Sequence, residues 1–143
     1  LRGTITHGVL VSDKASNTYL GLPIVETAKI ERMQEWIGAS FGNSVSAHEA
    51  PIHADTILPF KSHYKDSFLE DKEKRKFCTS MVIDWPRQWR RSERKGDPRQ
   101  FVEIMNQSKD FTSYYENTLK FIDFSEANHD WDNCILKPPP CLW

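Results

Sequence analysis

No run of apolar residues in this 143-residue chain approaches the ~20 needed to cross a bilayer, and no stretch within it resembles a secretory signal. Cysteine is scarce. Cys78, Cys134 and Cys141 are odd in number and far apart, and no CxxC pair exists. That excludes a zinc knuckle and a disulfide framework, and it leads us to expect reduced thiols in a cytoplasmic protein. There are only six glycines, and none sits in a phosphate-cradling loop or a GxSxG nucleophile elbow. Charge of one sign is missing too: 19 Lys and Arg stand against 20 Asp and Glu. No global field draws the chain to a membrane or to nucleic acid.

What is present suits a globular domain. Hydrophobic residues make up 38% and aromatics 12%, although a mean hydropathy of -0.61 lies on the polar side. The length allows one domain with a sizeable core. Residues 4–11, TITHGVLV, read as a β-branched strand, with Gly8 marking a bulge or a close backbone approach. A polar turn at 12–17 and a resumed strand at 18–20 make 4–20 a hairpin. Pro23 suits the first turn of a helix reaching about residue 34, with Val25, Ala28, Ile30 and Met33 on its apolar side. A strand follows over 35–41. Asn43 and Ser44 then open a short helical turn that Pro51 ends.

Pro59 confines the strand-like segment 56–62 to an edge, and 71–76 is a solvated charge run. FCTSMVIDW at 77–85 is the strongest strand. The segment 86–97 reads as a basic loop carrying Arg and Trp. Two helices follow over 98–125, one capped by Asp97 with Phe101, Ile104 and Met105 inward, the other with Phe111, Tyr115, Leu119 and Ile122 on one stripe. The Pro-rich tail at 126–143 cannot be helix in its KPPPCLW part.

The stretch LRGTITHGVLV…TYLGLPIVETAKIE resembles the second half of the class III nucleotidyl cyclase domain. The likeness is to a divergent bacterial branch near the pyrimidine cyclases of antiphage Pycsar systems. Arg2, Gly3, Ile5, Thr6, Gly8, Gly21, Pro23, Val25, Glu26, Ile30 and Glu31 carry it. LPFKS, VIDWP and YENTLKFI also look like that branch, so the resemblance spans about residues 1–125. It implies an α+β fold: a partial ferredoxin-like cyclase sheet with helices on one face and a C-terminal helical extension. Residues 1–85 would be the C-terminal half of the cyclase domain. The block bearing the metal aspartates would precede Leu1, making this chain a fragment.

The implied parent protein converts a nucleoside triphosphate to a cyclic mononucleotide, in signalling or defence, with Mg²⁺ or Mn²⁺ on carboxylates that this fragment lacks. In the family an Asn and an Arg follow the helix-leading Gly by four and eight residues. Here those positions hold Val25 and Lys29. Lys29 keeps a catalytic positive charge without the planar fork, and Val25 cannot donate. Thr18, three residues before Gly21, stands where the family reads the base. Both residues also fit plain roles, Thr18 as a strand residue and Lys29 as a solvated helix lysine.

Because of Val25, a second expectation is a catalytically degenerate module that dimerises or senses a nucleotide. A homodimer is expected in either case. A third reading uses the Arg/Trp segment, whose Arg87, Arg90, Arg91, Arg94, Lys95 and Arg99 stand among Trp85 and Trp89, as a nucleic-acid surface. The balanced net charge of -1 argues against it. His48, His53 and Asp55 fit no common zinc spacing. His7 is expected as a strand residue, and Asp13 with Lys14 as turn chemistry.

Overall fold

A computed structural model describes residues 2–46, 57–60, 63–76, 81–92, 96–106 and 112–130. Strand β1 (Arg2–Ile5) leads to a hairpin of β2 (Val11–Asp13) and β3 (Thr18–Leu20), then to helix α1 (Leu22–Met33) and strand β4 (Gly38–Phe41). Helix α2 (Asn43–Ser46), strand β5 (Ile57–Pro59), the short helices α3 (Asp66–Glu70) and α4 (Lys72–Arg75) and strand β6 (Met81–Ile83) come next. Helices α5 (Trp85–Arg91), α6 (Pro98–Met105) and α7 (Thr112–Ala127) complete the order. The fold is α+β. No helix among the described residues is long and apolar enough to cross a membrane.

The main sheet has the order β1-β4-β6-β5. β1 and β4 are parallel, with Gly3 beside Ala39 and Ile5 beside Phe41. β6 runs antiparallel to both β4 and β5. A parallel pair needs a crossover, and the hairpin plus α1 supplies it. β5 lies at an edge, where Pro59, having no N–H, is tolerated.

One face of the sheet carries the core. Trp36, Phe60, Val82 and Phe121 form one cluster, with Trp85 and Phe124 against it. Ile30, Met33 and Tyr64 form a second. A third, Phe41 and Val45 with Met81 and Ile83, sits on the opposite face.

Several sequence expectations change. Residues 4–11 are two strands, not one: Gly8, at φ 154°, breaks the run, and a Cβ there would meet the Pro23 ring at 2.7 Å. The close approach expected of Gly8 is therefore real. β1 pairs with β4, and only β2 and β3 form the hairpin. Of the strand expected at 77–85, only Met81–Ile83 is strand among the described residues, and Asp84 already caps a helix. The basic segment from 86 opens in helix α5, because Pro86 sits in its first turn and the Asp84 carboxylate accepts from the Arg87 N–H. The charge run at 71–76 holds α4, capped by Asp71.

The C-terminal helices take part in the core. α7 places Phe121 in the main cluster, and its buried row is Thr118, Phe121, Ile122 and Ser125. Tyr115 and Leu119 are only half-buried. On α6 it is Val102 and Pro98 that are buried; Phe101 and Ile104 are exposed. On α1 the buried residues are Ile30 and Met33, with Val25 half exposed. The cysteines, His48, His53, Asp55, Phe111 and the tail from 131 lie outside the described residues.

Candidate nucleotide site on the hairpin and first helix

The hairpin turns on local chemistry. Asp13 accepts from the Ala15 N–H at 2.9 Å and the Ser16 hydroxyl at 2.6 Å, and those bonds hold its carboxyl below the usual range. The Ser16 hydroxyl also contacts Thr18 Oγ1, at 2.9 Å. Asn17 takes positive φ, as a tight turn requires. Asp13 thus does the turn work expected of it.

Gly21 joins the hairpin to α1. A Cβ there would lie 2.6 Å from the Val9 carbonyl oxygen, so only glycine lets the two chains pass. Its carbonyl accepts from Ile24 and Val25, starting the helix. Thr6, just after β1, donates to the Pro23 carbonyl at 3.1 Å and meets Thr27 Oγ1 at 2.9 Å. Glu26 accepts from the Ser44 N–H at 3.2 Å, which ties α1 to α2, just after β4. Strand, glycine and helix are locked in one arrangement.

The residues expected to carry chemistry lie on this unit. Thr18 is on β3 and exposed, and Lys29 is on α1 and exposed. Val25 sits one turn before Lys29, half exposed and without a donor to offer. His7 is not in a strand; it follows β1 in an exposed link, its N–H donating to Ser44 Oγ at 3.0 Å. Among the described residues no group of three or more His, Cys, Asp or Glu side chains could hold a metal ion. The residues here do not fit a Mg²⁺ or Mn²⁺ centre.

Long-range polar contacts brace the unit, and sequence reasoning missed them. Gln34, fully buried, donates to Thr4 Oγ1 at 3.1 Å and to Ser40, and accepts from the Trp36 indole at 3.2 Å. Arg2 bonds Tyr114 and lies 3.5 Å from Glu31. These partners are up to 112 residues apart in sequence, so no local spacing announces them. A helix-ending Gln followed by a strand was the one signal for Gln34.

The basic segment is tied inward. Arg90 donates to Ser125 Oγ at 2.8 Å, and Arg99 bonds Asp123 at 2.8 Å as well as Glu126. The Arg99 bond holds the Glu126 carboxyl below its ordinary range.

No protein-family model matches the chain, and no curated protein or solved structure matches it either.

Proposed function

We propose that this chain contributes the strand–hairpin–helix–strand half of a class III nucleotidyl cyclase-like domain. In this reading the whole protein forms a cyclic mononucleotide and pyrophosphate from a nucleoside triphosphate in the cytoplasm. The observation that carries the reading is the unit itself. β1, the β2–β3 hairpin, Gly21 and α1 follow in the order the resemblance implies, and β4 then pairs with β1 in parallel. The outer edge of β1 is unpaired among the described residues. The remaining strands of a ferredoxin-like cyclase sheet would pair there.

Within that frame Lys29 neutralises charge on the transferring phosphoryl, and Thr18 offers a hydroxyl to the base. In the whole protein a divalent metal would activate the attacking hydroxyl, on carboxylates other than those of the described residues. Val25 favours the second reading, a degenerate cyclase-fold module that dimerises or senses a nucleotide. The inward ties of Arg90 and Arg99 weigh against a nucleic-acid surface, since both guanidiniums serve α7.

Titration with fluorescent analogues of the four nucleoside triphosphates, with Mn²⁺ present, tests the reading. We expect binding, weakened by Lys29→Ala and changed in base preference by Thr18→Val, without turnover by this chain alone. Absence of binding, or binding indifferent to both substitutions, overturns it. Turnover by the purified chain would overturn the assignment of metal carboxylates to other sequence.

A further inference from the structure

The face of the sheet opposite α1 holds a cavity of about 430 Å³. That is within the range of small-molecule sites, roughly 300–1,000 Å³. Its floor is Gly3 on β1 and Ala39 beside it on β4, two positions with almost no side chain. Trp85, Trp89 and Phe101 wall it, and the lining is almost wholly apolar. A flat floor between aromatic walls is shaped for a flat guest.

The walls are set in advance. The Trp85 indole donates to the Ile37 carbonyl at 3.1 Å, and the Trp89 indole donates to the Gly96 carbonyl at 3.1 Å. Trp89 and Phe101 stand with ring centroids 6.0 Å apart. Both indole N–H groups are thus held by backbone carbonyls, which fixes the orientation of the two walls. Walls held this way lose little entropy when a guest enters.

One charge stands at the rim. Arg2 lines this cavity and a second one, of about 530 Å³, that contains Glu31, Tyr114 and Tyr115. Its Nη1 bonds Tyr114 and the Gln34 carbonyl, and its Nε faces Glu31. Its Nη2 has no partner among the described residues. A guanidinium carries five donors in a fixed fork, and this one keeps an edge for an anion next to an apolar slot.

We propose that the cavity binds a planar, apolar ring system bearing one anionic group, with the ring between Trp85, Trp89 and Phe101 and the anion on Arg2 Nη2. A nucleobase suits the slot poorly, because among the described residues the lining offers almost no polar groups beyond Arg2 to meet its edges. Neither Thr18 nor Lys29 lines the cavity, and the proposal stands independently of the nucleotide reading.

Calorimetric titration of the chain with naphthalene-2-carboxylate, and with naphthalene-2-methanol as its neutral partner, tests the proposal. One-to-one binding is expected, with the carboxylate about tenfold tighter, as a charge-assisted bond implies. Arg2→Gln should bring the two probes level. Gly3→Leu should abolish binding of both, since a Cβ on Gly3 meets nothing within 4 Å and a longer side chain fills the cavity without a clash. Phe101→Glu, at an exposed wall position, gives the same loss if Gly3→Leu fails to fold. No binding, equal affinity for the two probes, or binding that survives both cavity variants overturns the proposal. Survival would place the ligand on another apolar surface, such as the exposed hairpin.

Discussion

Ser125 on α7 donates its hydroxyl to the buried carboxylate of Asp84 at 2.5 Å, and Arg90 from α5 closes on the same hydroxyl at 2.8 Å. One serine thus joins the end of β6, helix α5 and helix α7. Ser125→Ala removes the side-chain bond to Asp84 across that junction and leaves a buried acceptor short of a partner. A loss of about 1–3 kcal/mol is expected, read by urea unfolding. Arg90→Ser should cost about 1 kcal/mol for the same reason, more than an ordinary surface arginine. An unchanged midpoint in both variants would show that α7 docks through its apolar row alone.

Asp84 itself should make stability fall as pH rises through the acid range. Burial raises its pKa, against the bonds from Ser125 and the Arg87 N–H, which lower it. The unfolded chain then ionises first, near its ordinary value of 3.8, and the native state loses relative stability until the folded group has ionised too. Asp84→Asn keeps the acceptor and carries no charge. Its unfolding free energy should lack this fall, which pH-dependent urea curves of the two proteins will compare.

His63 has the opposite sign. Its ring is fully buried against Trp36 and Tyr64, at centroid distances of 4.6 and 4.0 Å, and neither nitrogen has a hydrogen-bond partner among the described residues. Burial lowers its pKa to about 3; the Phe60 carbonyl opposes that shift without forming a bond of normal geometry. Stability from the neutral ring is fully present above pH 6.5 and is lost as pH falls from there toward about 3. The slope approaches ~1.4 kcal/mol per pH unit. His63→Phe should flatten the curve between pH 6.5 and 5, where carboxylates contribute little. A slope that persists in the variant would assign the acid sensitivity elsewhere.

Gln34→Leu keeps much of the volume and removes the side-chain bonds to Thr4, Ser40 and Trp36. Ser40 is fully buried beside it, and the Trp36 indole loses its acceptor. We expect about 1–3 kcal/mol of destabilisation. A thermal melt within a degree of the parent would mean these groups find other partners.

Self-association should follow from the hairpin. Val9, Val11, Tyr19, Leu20, Leu22 and Val25 are all at least half exposed, and Leu22 reaches 84%. With Leu10 and Ile24 they leave the hairpin and the start of α1 rich in exposed apolar side chains, the kind of surface that a partner covers. An isolated two-stranded hairpin is marginal in water, which adds a reason for it to be covered. Sedimentation at several concentrations should show a dimer, and Leu22→Glu with Val9→Lys should return it to monomer. A parent chain monomeric at all concentrations would rule the surface out as an interface between copies.

The sequence made local features readable. Pro23 marked the start of α1 and Asp97 the cap of α6, because both act within one turn. Pro59 marked an edge because a missing N–H is a local fact. The register of α7 was not readable, for a physical reason. Its inward row includes Thr118, which accepts from the Ile37 N–H at 2.8 Å and donates to Tyr114 at 2.6 Å, and Ser125. Hydrophobic periodicity counts such residues as outward. Thr18 and Lys29 could be placed on their elements, but the ties of Arg2 to Tyr114 and of Arg90 to Ser125 depend on tertiary folding alone.

The two rims of the main sheet are unequal. At one lies β5, three residues long and ending in Pro59; at the other lies β1, with its outer side unpaired among the described residues. A ribbon with one blunt rim and one adhesive rim can lengthen in only one direction. If two copies met rim to rim along β1, both ends of the joined sheet would be blunt. Growth would then stop at two, with the proline at the far rim closing the joined sheet to further strands.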